Sequence, residues 1–89
     1  MRKNERRPAN YVITVGPAGD QPMTVLFEPG AGLFELEPGS AFRIEVSGPD
    51  TEGLELSHGD GYVSVWPSPA LWVRVTDDSG AVVPLLGYK

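Results

Sequence analysis

The feature that most constrains this chain is its rhythm. Runs of five to seven residues in which apolar and polar side chains alternate are cut apart, again and again, by Gly, Pro and Asp. Alternation with a period of two places successive side chains on opposite faces of a strand, and no segment keeps the 3.6-residue period of a helix. The runs fall at 10–15, 22–28, 32–37, 41–47, 53–57, 61–66, 70–76 and 81–86. Between them stand Gly16-Pro17-Ala18-Gly19-Asp20, Pro29-Gly30, Pro38-Gly39, Gly48-Pro49-Asp50, Gly59-Asp60, Pro67-Ser68-Pro69 and Asp77-Asp78-Ser79-Gly80. Gly and Asp tolerate positive φ and Pro presets a turn dihedral, so each of these is turn chemistry with a mechanism. The pattern predicts an all-β fold: an antiparallel β-sandwich, immunoglobulin-like or jelly-roll-like, of seven or eight short strands.

Size agrees with one domain. At 89 residues with 40% hydrophobic side chains, the chain can bury a single modest core. The reading divides it into a flexible basic tail over 1–9 and one β-sandwich domain over 10–89. The candidate core is Ile13, Val25, Phe27, Phe34, Leu36, Phe42, Ile44, Val46, Leu54, Leu56, Val63, Val65, Val73 and Val75.

Charge separates the two parts. Residues 1–7 carry Arg2, Lys3, Arg6 and Arg7 against Glu5, whereas 8–89 carry Arg43, Arg74 and Lys89 against eleven carboxylates. An acidic body repels a phosphate backbone, so nucleic-acid binding by the domain itself is not expected. Pro8-Ala9-Asn10 follows the basic residues with no apolar run of signal-peptide length, and no stretch approaches the roughly 18 apolar residues of a membrane span. A cytoplasmic protein without membrane contact is the resulting expectation.

Parity also registers the strands against one another. A hairpin closed at Pro38-Gly39-Ser40 sets Leu36 against Phe42, Phe34 against Ile44 and Glu35 against Arg43. One closed at Gly59-Asp60 sets Leu56 against Val63 and Leu54 against Val65. A third, centred on Pro69, sets Val65 against Val73 and Trp66 against Trp72, with Ser64 opposite Arg74 and Tyr62 opposite Thr76. Both tryptophans then project from the aliphatic interior on one sheet face, beside Tyr62 and Arg74, and Val83 and Leu85 of the last run join them.

Aromatic rings and Arg anchor interfaces because they bury much area at little conformational cost. The expected function is therefore a non-catalytic module that binds a protein partner, or itself as a homodimer, through Tyr62, Trp66, Trp72, Arg74, Val83 and Leu85. The same rings could instead stack on sugar faces in a small carbohydrate-binding module, or be covered by loop 16–22 in a purely structural role. A third reading centres a metal or enzyme site on His58 in Ser57-His58-Gly59-Asp60-Gly61. The chain has no Cys and one His, so zinc would find too few of its usual ligands and a catalytic triad has a single candidate base. Neither phosphate-binding glycine fingerprint occurs. No cofactor, metal or enzymatic activity is expected.

Overall fold

The computed structural model describes residues 9–88. The tail expected over 1–9 thus lies, but for Ala9, outside the described residues. Seven strands form: β1 (Tyr11–Val15), β2 (Met23–Phe27), β3 (Gly32–Leu36), β4 (Phe42–Ser47), β5 (Leu54–Gly59), β6 (Tyr62–Pro67) and β7 (Trp72–Thr76). They make a three-stranded sheet of order β1-β4-β7 and a four-stranded sheet of order β3-β2-β6-β5. The fold is all-β as expected, with one departure from an antiparallel plan: β2 and β6 run parallel. The run at 81–86 does not become a strand; it contributes one antiparallel bridge, Thr76 with Val82. Pro84, which has no amide hydrogen, stops it there.

The alternating apolar residues turn to a shared interior. Val25, Phe27, Val63 and Val65 of the larger sheet meet Phe42, Ile44, Val46, Val73 and Val75 of the smaller one, all buried. Rings join the layers: Phe42 lies 5.9 Å from Phe27 and 5.5 Å from Phe34 between centroids. Of the expected core, Leu56 is the exception, at 41% exposed. It shares an inward row with Val65 and Phe27, but β5 is the fourth strand of its sheet and overhangs a three-stranded partner.

Two of the three expected hairpins do not exist. β3 and β4 lie in different sheets, so Phe34 meets Phe42 across the interior and not along a ladder. The 37–41 link turns on Gly39 (φ +90°), and the Ala41 amide donates to the Asp78 carboxylate (3.1 Å), which ties the link to the other sheet's turn. Likewise β6 and β7 part company at Pro67-Ser68-Pro69. Two prolines remove the amides a tight hairpin would use. Ser68 instead donates to Gly53 O (3.1 Å), Leu71 donates to Ser68 O (3.0 Å), and buried Leu71 carries the chain across to the smaller sheet.

The β5–β6 hairpin does form, with its register two residues from expectation: Leu56 faces Val65, and Leu54 faces Pro67. The turn is Asp60-Gly61, with Gly61 at φ +77°, so it closes one residue later than expected. A shift of two preserves parity, and the inward set of β6 is unchanged.

The C-terminal segment seals one end of the sandwich. Val83 donates to Val75 O (2.8 Å), Leu86 donates to Ala31 O (3.2 Å), and the Tyr88 hydroxyl donates to Glu28 O (2.9 Å). The Tyr88 ring stands edge-on to Phe27 at 6.1 Å. Burial, and secondarily the Glu28 charge, push the Tyr88 hydroxyl up to about 12.

Candidate interaction surface

The six residues singled out in the sequence do not share one face. Tyr62 and Trp66 stand on the outer face of the four-stranded sheet, because Val63 and Val65 between them point inward. Trp72 and Arg74 stand on the outer face of the other sheet, by the same parity around Val73 and Val75. The expected Trp66–Trp72 pair is therefore absent: the prolines that separate β6 from β7 put the indoles on opposite sides of the sandwich. Both remain partly exposed, Trp66 at 45% and Trp72 at 39%. Val83 and Leu85 turn inward and pack against the core instead of joining either tryptophan.

On the four-stranded sheet the register assembles an apolar patch. Leu33 of β3 faces Leu26 of β2, and Leu26 is level with Ser64 of β6, which lies between Tyr62 and Trp66. Leu33 is 68% exposed and Tyr62 42%, while Ser64 is buried beneath its neighbours. The Ser64 hydroxyl keeps a partner in the Ser57 hydroxyl at 3.3 Å. Tyr62 packs against Gly59, its cross-strand partner: a Cβ there would come within 2.4 Å of the ring. Exposed Glu35 and Glu55 rim the patch, and both arginines among the described residues lie on the other face. Leu26 and Leu33 were missed in the sequence. Their signal was there: each is an apolar residue at an outward position of an alternating run.

The outer face of the three-stranded sheet has a different centre. Glu45 of β4 is only 6% exposed although it points away from the core. The ladders place it between Val12 of β1 and Arg74 of β7. Arg43, two residues earlier, donates to its carboxylate, and the Arg74 guanidinium lies 3.7 Å from the other oxygen. No spacing in the sequence announces this centre, since β1 and β7 are brought together only by β4.

His58, next to last in β5, is exposed on the rim of an open groove of about 400 Å³ between loop 17–22 and the β5–β6 hairpin. Asp20, Asp60 and Tyr62 also line it. Among the described residues no cluster of three or more His, Asp or Glu is placed to hold a metal ion. The Asp77 carboxylate is occupied by its own turn. The Ser79 hydroxyl (2.6 Å) and the Ser79 and Ala81 amides donate to it, and these bonds, the hydroxyl first, hold it below its usual range. The described residues contain no helix long and apolar enough to cross a membrane.

The fold and surface define a class, a small mixed β-sandwich with one apolar and one ion-paired outer face. Compared with known proteins the chain finds no counterpart: no family model, no curated protein and no solved structure matches it.

Proposed function

We propose that the chain is a non-catalytic protein-interaction module whose contact surface is the outer face of the four-stranded sheet. The observation that carries this reading is the adjacency of Leu33, Leu26, Tyr62 and Trp66 on one exposed face with an acidic rim. Each large ring brings roughly 150–250 Å² of contact area, and aromatic residues set among aliphatic ones are the usual anchors of an interface. Glu35 and Glu55 fit a protein partner whose apolar contact is flanked by Lys or Arg. Trp72 and Arg74 belong to a second, ion-paired surface and are not needed for this contact.

Site-specific photo-crosslinking tests it. A benzoylphenylalanine at Glu35 or Ser57 samples the apolar face, and one at Thr14 samples the opposite face. The expected result is a discrete protein adduct from the first two positions, reduced about tenfold by Trp66→Ala. Equal adducts from Thr14, or adducts indifferent to Trp66→Ala, would overturn the reading. A shift of Trp66 emission on titration with oligosaccharides, in a Trp72→Phe background, would move the surface to a sugar ligand.

A further inference from the structure

Four strands end the two sheets, β1 and β7 in one and β3 and β5 in the other, and among them β5 stands most exposed. The edge of β7 is covered by the Thr76–Val82 bridge and by the Val83 amide on Val75 O. β5 has no such cover. It is the longest edge strand, six residues against five for β1 and β3, and from Glu55 to Gly59 every residue is exposed. It holds no Pro and no Lys, two of the devices that usually blunt an edge.

Which backbone groups are free follows from the ladder. In an antiparallel pair, alternate residues exchange both bonds with their partner. Ser68 donates to Gly53 O, and Gly59 and Tyr62 flank the two-residue turn, so the odd-numbered residues of β5 address β6. Leu54, Leu56 and His58 therefore direct their N–H and C=O outward. Among the described residues no backbone bond outside the β5–β6 ladder reaches them.

We propose that β5 pairs antiparallel with β5 of a second copy, about a two-fold axis at Leu56, to make one continuous eight-stranded sheet. Three observations select this occupant. The free groups are self-complementary: Leu56 meets the partner's Leu56 and Leu54 meets the partner's His58, all outward-directed residues. No like charges face each other within the strands, since Glu55 meets the partner's Ser57; a slip of two toward Leu54 would set Glu55 against itself. And Leu56, left 41% exposed on the row of Phe27 and Val65, gains an identical side chain as cover. Beyond the strand ends the same register brings Glu52 toward the partner's Asp60, so the dimer should tighten as salt screens that repulsion. This pairing does not depend on the aromatic face as a docking surface.

The test is molecular mass by light scattering from about 1 µM to about 1 mM, a range suited to a small, weak interface. The expected result is a mass that rises toward the dimer with concentration and with NaCl. Leu56→Lys, at an exposed position, should hold the chain monomeric with an unchanged circular dichroism spectrum, and Trp66→Ala should leave the dimer intact. Because the chain has no cysteine, Leu56→Cys and Ser57→Cys report the register. Across a hydrogen-bonded pair the Cα atoms stand about 5.5 Å apart, within disulfide reach. Leu56→Cys should oxidise to a linked dimer well ahead of Ser57→Cys. A monomer throughout, association indifferent to Leu56→Lys, or faster linkage through Ser57→Cys would overturn the proposal.

Discussion

The outer faces of the two sheets each display one tryptophan, yet they are organised by opposite means. On β1-β4-β7 the middle of the face is a carboxylate, Glu45, buried under its own surroundings and answered by Arg43 and Arg74. On β3-β2-β6-β5 the middle is uncharged: Ser64 is buried beside Tyr62, Trp66 and Leu26, and the charges are acidic and peripheral. A face centred on an ion pair has its electrostatic partners within the molecule. A face of exposed rings and leucines leaves its apolar area in water, where contact with another surface is favourable.

Substitutions measure that difference, the largest effect first. Glu45→Gln should destabilise the fold by about 2 kcal/mol, read as a lower urea midpoint, because two arginines lose a buried partner but can still reach water. Ser64→Ala on the other face should cost less. Equal costs would mean that the ion pair does not organise its face.

The rim between the faces answers to alkali. The Tyr88 hydroxyl sits above its ordinary value of 10, at about 12, so the neutral form is the one that folding favours. Its contribution is therefore whole below pH 10 and is lost as pH climbs toward about 12. Tyr88→Phe should remove that alkaline loss and, with the bond to Glu28 O gone, lower stability at neutral pH by about 1 kcal/mol. Persistence of the same alkaline loss in the variant would assign it elsewhere.

The smallest effect tests the aromatic face directly. Gly59→Ala would drive a methyl into the Tyr62 ring and swing it off the sheet, at a cost below about 1 kcal/mol. The proton signals of residue 59 should lose the ring-current shift they carry in the native chain. An unmoved ring would mean that Tyr62 is held by something other than its glycine.

Parity was legible in the sequence, and pairing only at the β5–β6 hairpin. Val63 and Val65 inward, Tyr62 and Trp66 outward, follows from alternation alone and survives a two-residue error in the β5–β6 register. Which strands become neighbours depends on what the links do. Pro67-Ser68-Pro69 reads as a hairpin turn in one dimension and acts as a corner between sheets in three. That one corner moves Trp72 and Arg74 to the far side of Trp66.

Side-chain period and turn residues, both local properties, thus determined by themselves that this chain is all-β and which side chains of its strands face the interior. Tertiary structure alone decided that Glu45 is buried between two arginines, that Leu33, Leu26, Tyr62 and Trp66 form one patch, and that β5 overhangs as an open edge. Those three features join residues distant in sequence. Strand pairing within each sheet assembles the first two and the packing of a three-stranded layer on a four-stranded one exposes the third, and no short-range pattern encodes either.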